Sequence, residues 1–295
     1  MIMRKFRYLL ALLALVSSSA AFAQWNPDLP PTRDNINQVD KGDDIQGRLR
    51  ATIEIPVFKN FSVEVSEQVR LKDTFGQVDK FVTSVGVGYK PWKFLKFGAD
   101  YSFVNERTSD TEEIEDDLGN ILTKEIKGWH NQHRFNVDVT GSVRFGDVKI
   151  SLRERVRFNF RTDDVIKHEH ADPFISLRSR LKFAYDLRNS RWEPYVFGEV
   201  YNTLNALRPV ENYKNPNNVS WKDSGSKYDN YINRIRVAAG TEFKINNYNR
   251  IDFYYMCHFN TSYEARYKNN KGDLKDWRKE KGIAHVIGID YKFKL

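Results

Sequence analysis

A two-residue alternation that changes phase at a single dipeptide constrains this chain more than any other feature. Phe135, Val137, Val139, Gly141, Val143 and Phe145 share one parity. Arg134, Asn136, Asp138, Thr140, Ser142 and Arg144 share the other. After Gly146-Asp147 the apolar set moves to even numbers: Val148, Ile150, Leu152, Val156, Phe158 and Phe160. Lys149, Ser151, Arg153, Arg155, Arg157 and Asn159 lie against them. Period two sends successive side chains to opposite faces of a strand. A two-residue hairpin places its flanking residues opposite each other on one face. Phe145 should therefore pair with Val148, and the phase change is what a tight antiparallel turn demands.

The same alternation recurs along the chain. Apolar stripes run through Ile45–Ile55, Phe61–Leu71, Phe81–Tyr89, Leu95–Phe103, Ile175–Tyr185, Val196–Val200, Ile235–Phe243, Ile251–Phe259 and Ile283–Phe293. With the opening pair these make eleven segments, mostly ten to fourteen residues long. Strands of ordinary globular proteins run about five or six residues. A strand of about ten residues tilted by about 45° spans roughly 23 Å, the height of the apolar band on an outer-membrane barrel. Connections alternate as well. Short ones are expected at 56–60, 91–93, 146–147, 188–191 and 246–248, and long polar ones at 72–79, 105–129, 161–173, 204–230 and 264–282. Short turns on one rim and long loops on the other are a transmembrane-barrel pattern. Tyr89, Trp92, Phe94, Phe145, Tyr185, Trp192, Tyr248 and Phe293 lie beside the short turns, while Phe103, Phe158, Phe160 and Tyr263 lie beside the long loops. Two interfacial aromatic belts would place them so.

The N-terminus reads as an export signal. Arg4, Lys5 and Arg7 precede the apolar run Tyr8–Val16, and small residues end in Ala21-Phe22-Ala23. This is the three-part order of a secretory signal peptide, 1–23, cut before Gln24. Cys257 is the only cysteine, so no internal disulfide forms. Beyond Val16 no apolar stretch is long enough for a membrane-spanning helix. A closed barrel satisfies its backbone in lipid without one.

The polar face is rich in cations. By parity it carries Arg48, Arg50 and Arg70 early in the chain, then Arg134, Arg144, Arg153, Arg155 and Arg157. Arg178, Arg180, Arg234 and Arg236 follow. Carboxylates on the same face include Glu54, Glu64, Asp100, Asp138, Asp186, Glu199, Glu242 and Asp252. These arginines are the candidate lining of a solute path. Two readings stay open: a basic pore that selects small anionic solutes, or an interior sealed by arginine–carboxylate pairs, since small barrels fill with side chains. A one-residue slip of 148–160 would drive Arg153, Arg155 and Arg157 into lipid, at about 2–4 kcal/mol each near the midplane. Glu67, Glu154 and His285 fall on the apolar stripe, which points to a β-bulge, a rim position or a subunit contact.

Three stretches, HRFNVDVTGSVRFGDVKISLRER, LRSRLKFAYDL and the terminal HVIGIDYKFKL, resemble the Gram-negative outer-membrane family known as domain of unknown function 2490. The resemblance covers about residues 45–295. It implies an outer-membrane β-barrel of unestablished activity, so no functional residue is carried over. It also implies contact with outer-membrane lipid and lipopolysaccharide, and with barrel-assembly machinery through the alternating aromatics of the last strand.

The expected fold is therefore all-β: a transmembrane antiparallel up-and-down barrel over 45–295, monomeric, in the outer membrane of a Gram-negative bacterium. Ten to twelve strands are compatible with the stripes. Twelve is preferred because bacterial single-chain barrels have even counts, with the polar leader 24–44 supplying a poor strand or a plug. The expected role is passive transport through a porin-like channel with a net basic lumen, or a surface structural function. A lipid-modifying barrel enzyme and a soluble periplasmic β-sandwich are the alternatives. Catalysis is not expected: His258 and Ser262 share parity but sit about 13 Å apart along a strand, beyond the hydrogen-bond reach a dyad needs. His168 and His170, near Asp163, Asp164 and Asp172, read as a solvated loop, as does the acidic run 109–117, so no metal or cofactor is assigned. Cations spread along one sheet face, in an exported chain, disfavour nucleic acid.

Overall fold

The computed structural model describes residues 36–115, 121–162, 172–207, 228–267 and 274–295. Eleven strands close into one barrel. The first four are β1 (Ile36–Phe58), β2 (Phe61–Lys72), β3 (Gln77–Trp92) and β4 (Leu95–Glu115). Next come β5 (Ile121–Phe145), β6 (Val148–Arg161), β7 (Phe174–Tyr185) and β8 (Trp192–Leu207). The wall ends with β9 (Tyr228–Lys244), β10 (Asn249–Tyr267) and β11 (Leu274–Lys294). Each strand pairs antiparallel with its sequence neighbours. Phe145 faces Val148 across Gly146-Asp147, as the phase change requires, and Gly146 takes the positive φ of 58° that this turn needs. One closed sheet excludes a two-sheet sandwich for the described residues.

The strand number corrects the sequence expectation. The wall holds eleven strands, not twelve, because β1 and β11 close it in parallel, from Ile36↔Trp277 to Glu54↔Lys294. An even count is needed only when the closing pair is antiparallel. With a parallel closure β1 starts at the long-loop rim while β11 ends at the short-turn rim. There Lys294 N–H donates to the Tyr248 carbonyl at 2.7 Å, and Leu295 N–H to that of Glu54 at 3.0 Å. Residues 36–44 are the first part of β1, neither a twelfth strand nor a plug. A kink at Gly42, φ 72°, shifts the β1–β11 register between Asp40 and Asp43. The signal peptide, residues 24–35 and His168 and His170 lie outside the described residues, as do the side chains of 109–117.

Three connections also differ from expectation, among them 264–282, where β10 and β11 stay paired out to Tyr267↔Leu274. The β2–β3 link is only 73–76, tightened by positive φ at Asp73, Thr74 and Phe75, instead of a long loop over 72–79. The expected loop 105–129 is largely hairpin, with β4 and β5 paired out to Glu115↔Ile121.

The two faces of the wall are inverted relative to a soluble domain. Outward residues such as Leu49, Val85, Val137, Val237 and Ile287 are exposed, and Val137 and Val237 keep 54% and 55% of their surface. Val143 and Leu152 are buried exceptions on that face. Inward, Arg48, Gln68, Arg134, Asn136, Arg178, Glu199, Arg236 and His258 are buried. Aromatic pairs ring the short-turn end: Phe58 stacks on Phe61 at 4.7 Å, Trp92 on Phe94 at 5.9 Å, and Trp192 meets Phe243 at 4.5 Å. Nearer the other end, Phe81 meets Trp129 at 5.7 Å and Phe135 meets Phe160 at 5.9 Å.

Glu67, Glu154 and His285 do keep outward positions, and no bulge re-aims them: the register runs unbroken past all three. Instead each meets a hydroxyl on a neighbouring strand. Thr83 Oγ1 donates to Glu67 at 2.6 Å, Ser179 Oγ to Glu154 at 2.6 Å, and Tyr255 Oη lies 2.6 Å from His285 Nδ1. A hydrogen bond to a charged or polar group lowers the cost of holding it on an apolar surface.

Candidate functional site

Inside the barrel the strands divide the lumen into two parts. On the β7–β11 side, inward Ala184, Tyr195, Phe197, Ala238, Met256 and Val286 form an apolar cluster, with Tyr254 packed against it. Strands β9 and β11 supply small partners beside these rings: Gly240 faces both Tyr195 and Tyr254, and Gly288 faces Tyr254. Tyr195 Oη donates to Asp252 at 2.8 Å, so the aromatic filling is also tied polar end to polar end.

The remaining space is a cavity of about 510 Å³. Its wall carries twelve arginines and Lys80 against Glu64, Asp100 and Glu106. Of the arginines expected on the wet face, Arg48, Arg50, Arg70, Arg134, Arg153, Arg155, Arg157, Arg178, Arg180, Arg234 and Arg236 all line it. Arg144 does not. It sits at the short-turn rim, paired with Asp186 at 2.7 Å, and this hydrogen bond holds the Asp186 carboxyl below the usual carboxylate range. His258 is buried inward with no hydrogen-bond partner at Nε2, and Ser262 Oγ donates to Glu280 at 3.2 Å.

Some of the interior charge is neutralised. Glu199, with its side chain fully buried, receives Nε and Nη2 of Arg178 on one oxygen and Nε and Nη2 of Arg180 on the other, at 2.7–3.1 Å. Arg236 approaches the same carboxylate at 3.9 Å. Tyr201 completes this knot, with the guanidinium carbons of Arg178 and Arg236 each 4.3 Å from its ring centre. Arg155 gives Nε and Nη2 to Asp138 and lies 3.4 Å from Asp100. Lys80 pairs with Glu106, and Lys96 and Lys292 with Glu64. The wall's own carboxylates are thus already taken. Among the described residues Arg48, Arg70, Arg134, Arg153, Arg157 and Arg234 make no ion pair with a carboxylate. The cavity is strongly cationic, and the imbalance is built into six guanidiniums from five strands.

Sequence reasoning missed three groups here. Lys80 falls between the expected loop 72–79 and the stripe that starts at Phe81, and Glu106 falls inside the expected loop 105–129, whereas both lie on paired strands. Phe174 and Arg161 extend the lining for the same reason. The apolar filling was missed because Tyr195, Phe197, Tyr254 and Met256 lie on the parity assigned to water. The signal for it was present: three of the four are aromatic, and glycines face the two tyrosines.

The fold and site define a class: a closed β-barrel with an apolar exterior and an arginine-lined interior. Within that class, the chain belongs to the family described as Protein of unknown function (DUF2490), whose model matches residues 46–269. Comparison with curated proteins finds no match. Among solved structures the chain is similar to outer-membrane expressed OmpT of Vibrio cholerae, with 14% identity over 74% of this chain and 57% of that one, TM-score 0.34. It is also similar to in-vitro folded OmpT of the same organism, with 13% identity over 75% and 56%, TM-score 0.32. This chain therefore spans a little over half the length of those proteins.

Proposed function

We propose that this protein is a monomeric barrel of a Gram-negative outer membrane that gives small anionic solutes a narrow passive route, without catalysis. The observation that carries the reading is the charge imbalance of the cavity wall, twelve arginines and a lysine against three carboxylates that already have partners. Fixed charge lining a narrow space sets which ions enter it. The membrane part of the reading is supported by the exposed apolar exterior and its two aromatic rims. Such a surface is stable against acyl chains and a liability in water. Lipopolysaccharide and phospholipid are then the partners of the outer face, and the alternating aromatics Tyr291 and Phe293 at the end of β11 suit recognition by the assembly machinery. The apolar cluster on the β7–β11 side narrows the lumen, which favours small solutes and low conductance.

The test is a reversal-potential measurement on the purified full chain in planar bilayers under a KCl gradient. Folding is verified by heat-modifiable gel mobility. Discrete steps with the potential displaced toward that of chloride support the reading. Cation preference, or no steps from demonstrably folded protein, overturns it.

A further inference from the structure

Seven of the twelve cavity-lining arginines fall into two kinds by what holds their Nε. In Arg155, Arg178 and Arg180 both Nε and Nη2 go to a carboxylate, so charge and donors are spent together. In four others Nε goes to a neutral side-chain amide oxygen. Arg70 donates to Gln68 at 2.9 Å, Arg134 to Asn159 at 2.8 Å, Arg157 to Asn136 at 2.9 Å, and Arg234 to Asn260. Apart from Gln68, which lies two residues from Arg70 on β2, each amide comes from the neighbouring strand, in register with its arginine. The terminal nitrogens of these four make no hydrogen bond or ion pair to described protein atoms. They belong to side chains lining the same cavity.

This arrangement has a consequence for binding. An amide oxygen fixes the plane and direction of a guanidinium without cancelling its charge. What remains free is the pair of terminal N–H₂ groups, the fork that meets a carboxylate or phosphate through two parallel bonds. Three of them act on one another: Arg157 lies in the field of Arg134 and Arg70, and Arg70 in that of Arg134, while Arg48 is the cation that Arg70 and Arg234 share. Like charges held this close in a partly desolvated space are unfavourable unless an anion sits among them. Two buried donors on the same cavity wall also lack a protein partner: Arg48 Nε and Gln68 Nε2, on adjoining β1 and β2. One monovalent ion leaves most of these forks unmet. A solute with several oxyanion groups meets them together.

We propose that the lumen contains a binding site for a small solute bearing two or more phosphate or carboxylate groups, formed by the amide-anchored guanidiniums of Arg70, Arg134, Arg157 and Arg234. The proposal rests on the reading of the barrel as an anion route and names its solute class. The cavity volume of about 510 Å³ admits a solute of metabolite size. The four amides act as positioning residues.

The test measures block of the chloride current by pyrophosphate and by citrate, with acetate as the monovalent control. The variants are the double substitution Arg70→Lys/Arg157→Lys and, separately, Asn136→Ala. Lysine keeps the charge and loses the fork. Block by pyrophosphate or citrate at a concentration at least tenfold below that of acetate is expected in the natural protein. The double lysine variant should lose block at least tenfold. Asn136→Ala should lose it severalfold. The more potent of the two blockers assigns the site to phosphate or to carboxylate chemistry. Absence of preferential block, or block indifferent to the lysine pair, overturns the site while leaving the anion route standing. Should the bilayers show no steps, equilibrium dialysis of radiolabelled pyrophosphate and citrate against the detergent-folded protein decides: binding of either that the lysine pair abolishes upholds the site, and no binding of both overturns it.

Discussion

Tyr254 lies across Gly288 of the adjacent strand so closely that a Cβ on that glycine would stand 2.1 Å from the ring. On its other side Tyr254 faces Gly240, whose own Cβ would meet the Tyr195 ring at 2.7 Å. Two glycines thus make room for the two tyrosines that fill the β8–β11 side of the lumen.

Gly288→Ala should therefore destabilise the folded barrel by about 1–3 kcal/mol, the usual range for forcing extra volume into a packed interior. Outward Gly198 has nothing within 4 Å of a built Cβ, so Gly198→Ala should be near neutral. Urea titration of the heat-modifiable gel species in lipid vesicles measures both. Equal effects would mean that ring and glycine are not in contact.

Glu199→Gln should be more damaging. Its carboxylate is the shared acceptor of Arg178 and Arg180, and its side chain is wholly buried. Removing one partner of a buried ion pair leaves uncompensated charge, a loss of about 3–5 kcal/mol. The same titration reads it. Any variant that folds should show a reversal potential closer to that of chloride, because a negative charge has left the lumen.

These two residues also show what the sequence could reveal. The alternation around Gly146-Asp147 predicts the hairpin to the residue, since one-residue errors would reverse the faces. Inward placement of Arg153, Arg155 and Arg157 follows from the same parity. Strand number does not follow, because period-two patterning describes each strand but not how the first meets the last. Here Ile45 lies beside His285 in a parallel pair, which no local signal announces. Nor does parity distinguish a wet inward position from a packed one. Tyr254 and Arg250 share a face, yet one fills an apolar cluster and the other pairs with Glu242 at 3.0 Å. The contrast between Arg157 and Arg155 is legible by comparison, because the register that sets Phe145 opposite Val148 also sets Asn136 opposite Arg157 and Asp138 opposite Arg155.

Phe197→Ala should widen the lumen. Phe197 is a buried member of the apolar cluster, and the guanidinium carbon of Arg180 stands 4.2 Å from its ring centre. Truncation should raise single-channel conductance while lowering stability by about 3–5 kcal/mol. Unchanged conductance in a folded variant would place the rate-limiting constriction elsewhere.

The inverted wall predicts a reversal of ordinary thiol accessibility. In a Cys257→Ser background, cysteines replace outward Val137 or Val237 and, separately, inward Ser66 or Ser84 at the cavity wall. Judged by surface alone, Val137→Cys and Val237→Cys are the accessible sites. In reconstituted vesicles acyl chains cover that surface, so a small charged methanethiosulfonate should leave both unmodified while reacting at Ser66→Cys and Ser84→Cys through the wet lumen. A negatively charged reagent should react faster there than a positive one, because thirteen cations face it across the cavity. Rapid modification at Val137→Cys, with the lumen sites silent, would show that the exterior stands in water and that the barrel does not cross a bilayer.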